Sequence, residues 1–347
     1  LWFALLAERL AAFLGFIGGS GEVLKQAMGY SLILFAGDFC LWLVGVVSTI
    51  LRGMGNMRFP AAMMVLSAVL QIPLSGAMIL GAFGFKGLGI IGAAISAIAS
   101  ALLLSAVMLL HLASDGGAIR LRLSALSFRK ELFDDILGVA LPGSISPILT
   151  VLTIVLLTAF VGRFGEEALA GYGIGSRIEF LIIPLVFGIG ATMTSLVGIG
   201  VGAGDLQRAE TIGWVGGFGA ALVAGMIGLV LALFPNTWIP YFTSDPEVYD
   251  TARSFIQIVG PCFSFYGLGL VLYFGSKGAS AMRWPVIALC LRCVVAIGGA
   301  ITLMSHTDLA LQSVFYAAAA SMLVYGATMM GALKLGAWRV SGVTNGN

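Results

Sequence analysis

The chain has 347 residues, of which 59% are hydrophobic and 10% are charged, and its formal net charge is +2. Soluble globular domains average about a quarter charged residues, so this composition excludes an ordinary soluble domain. A net charge this small gives no support for nucleic-acid binding.

Long apolar segments follow one another along the chain, separated by short polar turns. A membrane-spanning helix needs about 20 mostly apolar residues, and the sequence predicts a partial first span at 1–18 followed by nine complete ones. The nine predicted spans cover residues 27–51, 59–83, 88–112, 136–162, 172–200, 212–234, 253–276, 284–305 and 310–335. We therefore predict an all-α polytopic membrane protein.

One nine-residue pattern occurs twice, each time between two apolar segments. Residues 52–60 read RGMGNMRFP and residues 277–285 read KGASAMRWP, 225 positions further on. The same offset aligns Glu22-Val23 with Glu247-Val248, and self-similarity at a fixed offset indicates an internal duplication. Six predicted helices separate the copies, so both emerge on the same side of the membrane and the halves are predicted to be parallel repeats.

The offset also predicts how much of the first repeat this sequence contains. The second repeat begins near Glu131, so the first would begin roughly 95 residues before Leu1, enough for two spans and part of a third. We expect two six-helix lobes, the first lacking about two and a half helices in this sequence. The chain as given is expected to be unstable or inactive without them.

The longest polar interval, residues 114–135, is predicted to be a cytoplasmic linker between the two halves. Residues 1–113 then form a partial N-terminal lobe with the end of helix 3 and helices 4–6. Residues 136–347 form the C-terminal lobe with helices 7–12. Within the linker, residues 121–133 are either an amphipathic helix at the interface or a solvated segment.

Lysine and arginine predict the orientation, because cytoplasmic loops carry an excess of them. Loops on one side carry Arg52, Arg58, Arg120, Arg122, Arg129, Lys130, Arg208, Lys277, Arg283, Lys334 and Arg339, and opposite loops carry Lys25, Lys86, Arg163 and Arg253. The linker and the C-terminus are therefore expected on the cytoplasmic side.

Charged residues deep in apolar segments are the candidates for function, since each costs on the order of 2.5 to 3.5 kcal/mol to insert. Asp38 lies near the middle of the predicted span 27–51. It is either a carboxylate that binds a proton or Na⁺ in a central cavity or a paired polar residue at a helix contact.

Other charged residues also lie in the predicted spans. Glu8, near the start of the sequence, is a second coupling candidate. Arg177 and Glu179 lie near the outer end of the span 172–200, where they are expected to snorkel to the interface or to pair with another helix. Arg292 lies deeper and is expected to bond to an Asp or to the backbone of a neighbouring helix.

The repeated pattern itself predicts a turn between two helices. Its glycines end one helix, and its final proline opens the next. Its basic residues, Arg52, Arg58, Lys277 and Arg283, then mark the cytoplasmic side, and a gate formed by the arginines is the alternative.

Two other features resemble ligand motifs but fit packing better. Cys290 and Cys293 form a single CxxC inside an apolar segment, and the glycine-rich segments 171–175 and 198–204 follow no predicted strand. We predict helix packing for both. We expect no metal, no cofactor other than a coupling ion, and no enzymatic activity.

Four segments, in order along the chain, resemble the multidrug and toxic compound extrusion (MATE) family: residues 51–60, 81–94, 170–179 and 196–205. The resemblance spans nearly the whole chain and implies twelve helices in two six-helix lobes. It also implies secondary active efflux of organic cations or other amphipathic drugs by antiport against H⁺ or Na⁺. In that scheme the two lobes alternate access to a central cavity.

The acidic sites that the family resemblance implies are not acidic in this sequence. Gln71 and Ser75 stand where many members have an Asn and an Asp, Thr150 where some have a Glu, and Tyr266 near a tenth-helix Asp. In other members an essential Asp lies on helix one, which this sequence lacks. The resulting candidates are Asp38, Glu8 and Glu179 for coupling or substrate, and Gln71, Ser75, Thr150, Tyr266 and Arg177 as supporting polar residues.

Two other functions fit the same architecture. A lipid-linked oligosaccharide flippase would need several cations around a pyrophosphate headgroup, and only Arg9, Arg177 and Arg292 lie in the predicted spans. A channel or assembly subunit would need rings of charge or a filter motif, and neither is seen in the sequence. We expect a monomeric drug antiporter in the inner membrane of a bacterium, with the bilayer and small organic cations as its partners.

Overall fold

The computed structural model describes residues 21–81, 87–113, 129–307 and 309–339, with the backbone alone for 21–23. Glu8, the partial first span and most of the predicted linker lie outside these residues. Within them the chain is helical and contains no strand. Nine helical segments of the described chain are long and apolar enough to cross a membrane, which confirms the prediction of an all-α polytopic protein.

The chain divides into two compact units, Leu1–Ser127 and Phe128–Asn347. The described part of the first unit contains α1 (Gly21–Gly53), α2 (Arg58–Leu80) and α3 (Ile90–Ala113). Helix α3 packs against both of the others. Small side chains at Ser96 and Ser100 of α3 are buried, and close helix approach needs small residues of this kind.

The second unit is larger and contains seven helices within its described residues. They are α4 (Lys130–Val161), α5 (Glu166–Gly202), α6 (Leu206–Leu233), α7 (Pro246–Val259), α8 (Phe263–Gly278), α9 (Arg283–His306) and α10 (Leu311–Lys334). Helix α8 occupies the centre and packs against α5, α6 and α10. Most of its side chains are buried, so it forms the core of this unit.

Helices α7 and α8 together form a single candidate span that is interrupted once. A short 3-10 turn, Gly260–Cys262, separates them, and Pro261 within it has no N–H to continue an α-helical ladder. Four other prolines, Pro73, Pro142, Pro147 and Pro184, lie inside α-helices that continue past them.

Four helices of the second unit begin six or seven residues earlier than the hydropathy pattern predicted, at Lys130, Glu166, Leu206 and Pro246. Acidic residues explain the earlier starts, because carboxylates stabilise the free N–H groups of a first helical turn. The Asp205 side chain accepts a hydrogen bond from the Arg208 N–H at 3.0 Å, and that of Asp245 accepts one from the Glu247 N–H at 2.9 Å. These polar first turns extend the helices beyond their apolar segments.

Glycines bring α5, α6 and the α7–α8 segment into close contact. A Cβ at Gly278 would overlap the carbonyl oxygen of Thr194, and one at Gly198 would lie 3.3 Å from the Gly278 carbonyl oxygen. The Thr194 hydroxyl donates a hydrogen bond to the Phe274 carbonyl across the same contact, at 2.9 Å. The predicted packing role therefore holds for Gly198, whereas Gly202 has open space around it.

Five basic residues lie at or just beyond the helix ends on one side of the second unit, which we call the basic end. They are Arg208, Lys277, Arg283, Lys334 and Arg339. Trp338, which follows α10, is buried there, and its Nε1–H donates to the Ser276 hydroxyl at 3.0 Å. A Cβ at Gly213 or at Gly275 would lie within 2.8 Å of the Trp338 ring. The segment after the last helix is thus wedged between α6 and α8.

We expect Gly228→Ala in α6 to destabilise the second unit by about 2 kcal/mol or more, because the new methyl group would overlap the carbonyl oxygen of Gly260 and overpacking costs of this size are usual. Gly219→Ala in the same helix is the matched control, since nothing lies within 4 Å of its added methyl. Thermal unfolding in detergent measures both. Equal melting temperatures for the two variants would show that this contact is not tight.

Candidate functional site

A pocket of about 330 Å³ lies between α4 and α5 of the second unit, in the half of these helices away from the basic end. Its α5 residues recur at helical spacing along one face. The lining residues are Ile154, Thr158, Leu169, Tyr172, Gly173, Ser176, Glu179 and Phe180. The walls are mainly apolar and aromatic, and Glu179 supplies the only charged group among these lining residues.

Glu179 is paired across the unit with Arg292 of α9. The Arg292 Nη2–H donates to Glu179 Oε1 at 3.3 Å, and the two side chains are 5% and 13% exposed, respectively. A buried charge needs an opposite charge, because desolvation of either group alone costs several kcal/mol. The ion pair therefore places a neutralised carboxylate at the wall of the pocket.

Two tyrosines surround the Arg292 guanidinium. Its Cζ lies 4.7 Å from the ring centroid of Tyr266 in α8 and 5.8 Å from that of Tyr325 in α10. Both distances are within the range of cation–π attraction, and both rings are buried. Arg292 Nε is buried without a hydrogen-bond partner in the described chain. The guanidinium is thus held by aromatic faces as well as by Glu179.

A second ion pair, at the basic end, has a different geometry. Arg339 donates from Nε and from Nη2 to the two carboxylate oxygens of Glu210, at 2.6 and 2.8 Å. This bidentate contact raises the pKa of the Arg339 guanidinium above its ordinary value, chiefly through the hydrogen bond to Glu210. Arg339 is 65% exposed, so the pair joins helix ends in contact with water.

The structure places Glu179 differently from the sequence prediction. Because α5 begins at Glu166, Glu179 lies thirteen residues along it, or about 20 Å, and it is too buried to snorkel. The expectation of a residue near the end of the span was therefore wrong for Glu179. The expectation of a partner on another helix holds, and the partner of Arg292 is a Glu where the sequence analysis expected an Asp or the backbone.

Arg177 makes a separate contact on the same helix. Its Cζ lies 5.1 Å from the ring centroid of Phe242, a residue of the connection between α6 and α7. Trp238 of that connection donates from Nε1 to the Ile174 carbonyl at 3.3 Å. Arg177 therefore helps to hold this connection against α5, and it is not among the pocket-lining residues.

Asp38, the first coupling candidate, lies in α1 of the first unit. Its Oδ2 accepts a hydrogen bond from the Trp42 Nε1–H at 2.9 Å, one turn along the same helix. The carboxylate is half-buried, whereas the side chains of Phe39 and Trp42 beside it are 74% and 69% exposed. Asp38 is thus paired within its own helix, which leaves its proposed coupling role open.

The first unit contains a pocket of its own, of about 290 Å³. It is lined by Leu41, Val44, Met64, Ser67, Ala68, Gln71, Ala97, Ser100, Ala101 and Leu104. Gln71, a predicted supporting residue, therefore lies at a pocket, and Ser75 is not part of this lining.

The two other predicted candidates among the described residues, Thr150 and Tyr266, do not line the pocket beside Glu179. The Thr150 hydroxyl donates to the Ser146 carbonyl of its own helix at 2.9 Å and is not among the pocket-lining residues. Tyr266 is buried against Arg292. Thr150 became a candidate through the family pattern alone. That pattern carries no information about the hydrogen bond that its hydroxyl makes within its own helix.

The two copies of the repeated pattern form turns, as predicted. Helices α1 and α8 end at Gly53 and Gly278, and the prolines lie in the first turns of α2 and α9. The Arg52 Nε–H donates to the Ser48 carbonyl at 3.2 Å, and Lys277 Nζ lies 4.6 Å from the Tyr273 ring centroid. Arg58 and Arg283 are exposed.

The sequence analysis missed Tyr172 and Tyr325 and gave Arg292 only a structural role. Tyr325 lies in an apolar segment that carries no motif, and Tyr172 lies in the segment 170–179, where the family resemblance marked no tyrosine as functional. The charged residues did carry a signal for this site. Arg177, Glu179 and Arg292 are the charged residues furthest from the polar turns of the second unit. Cys290 is exposed and Cys293 is buried as free thiols, and the described residues contain no cluster able to hold a metal.

Comparison with known proteins identifies relatives that match most of this chain. The family model MatE matches residues 7–76 and 142–302. A Thermotoga maritima protein named probable multidrug resistance protein NorM is 30% identical over 246 residues, which are 71% of this chain and 53% of the relative. A FAD transporter of Shewanella oneidensis is 26% identical over 278 residues, 79% of this chain and 60% of its own length. The chain thus spans about half of the Thermotoga relative.

Solved structures share the fold. A MATE crystal structure in the bent conformation superimposes with a TM-score of 0.85 at 23% identity, covering 99% of this chain and 76% of that one. A transporter of the MOP superfamily from Pyrococcus furiosus gives a TM-score of 0.86 at 23% identity, covering 96% and 75%. At this identity the likeness establishes the fold.

We expect Glu179→Gln to destabilise the protein by about 3–5 kcal/mol, because Arg292 would remain buried without an opposite charge. Adding Arg292→Met should recover part of this loss by removing the buried charge. Glu210→Gln is the control, since exposed Arg339 can be solvated by water and little change is expected. Thermal unfolding of the purified variants measures the effect, and similar losses for the Glu179 and Glu210 variants would contradict the interpretation.

Proposed function

The chain belongs to the MatE family, and from this premise we propose that it exports amphipathic organic cations across a bacterial inner membrane in exchange for H⁺ or Na⁺. Alternating access provides the mechanism: a central cavity opens to one side of the membrane at a time, and substrate and coupling ion favour different states. Multidrug resistance proteins among the relatives support this proposal.

The pocket beside Glu179 is the observation that carries the proposal. Its volume falls within the range of about 300–1,000 Å³ that suits drug-sized ligands. Its walls offer aromatic and aliphatic surface for an apolar body, and the Glu179 carboxylate offers one negative charge for an ammonium group. An amphipathic cation has both of these features, so it matches the pocket better than an anion or a neutral sugar.

The position of the pocket fits export. If the basic end of the second unit is cytoplasmic, as the excess of lysine and arginine favours, then the pocket lies in the outer half of the membrane. A substrate bound there would be close to the side on which it is released. The bilayer itself would cover the many exposed apolar side chains of both units.

Asp38 is the residue that we propose for coupling. It is the only acidic residue in the sequence between positions 24 and 113, and it is half-buried with a single hydrogen bond from Trp42. Glu179 is less suited to carry a proton, because protonation would leave Arg292 buried without an opposite charge. Glu8 is the alternative coupling site, and it lies outside the described residues.

The other functions receive less support from the pocket. A flippase for a pyrophosphate-linked lipid would need cationic side chains, and the pocket-lining residues include neither Lys nor Arg. A channel would need a continuous polar path, and the lining here is mainly apolar. The Shewanella relative is named a transporter of FAD, an anionic compound, and within the described residues Arg292 is the one buried cation available to such a substrate.

We expect Asp38→Asn to abolish gradient-driven ethidium efflux. The amide of asparagine does not exchange a proton, and it lacks the negative charge that attracts Na⁺. The measurement uses the full-length protein in energised membrane vesicles, with Na⁺ and proton gradients imposed separately. Asp134→Asn is the matched control: Asp134 is exposed at the start of α4, and efflux should persist. If efflux persists in Asp38→Asn, Asp38 is not the coupling residue, and Glu8 or a residue outside this sequence takes that role.

We also expect the neutral pair Glu179→Gln/Arg292→Met to weaken ethidium binding at least tenfold, equivalent to about 1.4 kcal/mol. The charge on the pocket wall is lost, while no unpaired charge remains buried. Glu210→Gln/Arg339→Gln removes the other ion pair and should leave binding unchanged. Fluorescence anisotropy of ethidium with the purified proteins provides both values, and equal binding by the two double variants would exclude Glu179 as the cation-binding group.

A further inference from the structure

The Glu179–Arg292 contact is weak for a buried ion pair. One hydrogen bond of 3.3 Å joins the two side chains, whereas charge-assisted bonds of this type usually measure about 2.7–2.9 Å. Within the same unit, Arg339 and Glu210 form two bonds of 2.6 and 2.8 Å. Glu179 and Arg292 form the more buried of the two pairs, so the shorter contact would be expected between them. Their contact is nevertheless the longer of the two.

Arg292 has a second set of contacts that does not depend on Glu179. The faces of Tyr266 and Tyr325 lie 4.7 and 5.8 Å from its Cζ, and the two rings are 6.2 Å apart. Its Nε has no partner in the described chain, so part of its hydrogen-bonding capacity is unused. A guanidinium on aromatic faces keeps much of its electrostatic stabilisation when a carboxylate withdraws.

The carboxylate lies between this guanidinium and the pocket. Glu179 lines the pocket, and Arg292 does not. A cation that enters the pocket therefore approaches Glu179 from one side while Arg292 holds it from the other. Two cations then contact one carboxylate, and each weakens the binding of the other because the two positive charges repel each other.

We propose that Arg292 is a tethered cation that competes with the transported cation for Glu179. This inference rests on the proposed cation efflux and adds a specificity-determining residue to it. In the empty pocket, Arg292 neutralises Glu179. When a substrate ammonium binds Glu179, the guanidinium shifts its contacts to Tyr266 and Tyr325. Neutral molecules cannot make this exchange, and substrate release is assisted by the return of Arg292.

The test is the equilibrium affinity of the purified full-length protein for ethidium in lipid nanodiscs at pH 8, together with the rate of ethidium efflux. With Arg292→Gln the competitor is gone, so we expect ethidium to bind at least tenfold tighter and to leave more slowly. Loss of a purely structural residue would weaken binding and transport together. Arg292→Lys retains the competing charge and should restore an affinity close to that of the parent protein.

Arg177→Gln is the matched control, because Arg177 lies two residues from Glu179 and contacts Phe242 instead of the pocket. Its ethidium affinity should equal that of the parent. Unchanged or weaker binding by folded Arg292→Gln would overturn the proposal. Absence of ethidium binding to the parent protein would instead contradict the proposed cation efflux, so the two failures are distinguishable.

A second pair of variants covers the case in which Arg292→Gln does not fold. Tyr325→Leu removes one aromatic face on which the displaced guanidinium rests, and Tyr325→Phe keeps it. If Arg292 is displaced by substrate, Tyr325→Leu should weaken ethidium binding severalfold and Tyr325→Phe should leave it unchanged. Equal affinity of these two variants would overturn the proposal.

Discussion

Close approach of helix backbones is the constraint on which the second unit depends. In a bilayer, apolar side chains gain little by leaving lipid for protein, so helices associate where small residues let their backbones come close. Gly198 and Gly278 bring α5 to α8, and Gly228 and Gly260 bring α6 to the break before α8. These contacts fix α8 at the centre, and α8 carries Tyr266 to the guanidinium of Arg292.

For the residues that the structure describes, the sequence was sufficient for the number of spans and their helical type, but not for where the helices start. Hydropathy detects apolar segments, and it fails where a helix continues into water through a polar first turn, as at Glu131 or Glu166. The ion pair could not be predicted, because Glu179 and Arg292 are 113 positions apart and meet only through the packing of α5 against its neighbours. Candidates taken from the family pattern, such as Thr150, carried no information about side-chain partners.

The duplicated halves differ in their buried charges. At the offset of 225 residues, Asp38 corresponds to Phe263, and Arg292 corresponds to Ser67, which lines the pocket of the first unit. One half therefore holds a carboxylate with a neutral hydrogen-bond donor, and the other holds a compensated ion pair. A carboxylate without a cationic partner can exchange a small cation at low cost, whereas a compensated one retains its charge. The proposed division of coupling and substrate binding between the halves rests on this asymmetry.

Trp338 has a consequence for the biogenesis of the protein. Its ring fills the space beside Gly213 and Gly275, and its indole N–H satisfies Ser276. The ribosome synthesises Trp338 after all the described helices, so α6 and α8 enter the membrane with this space unfilled. Assembly at the basic end is then completed only after the segment that follows α10 has been synthesised and its ring has entered this space.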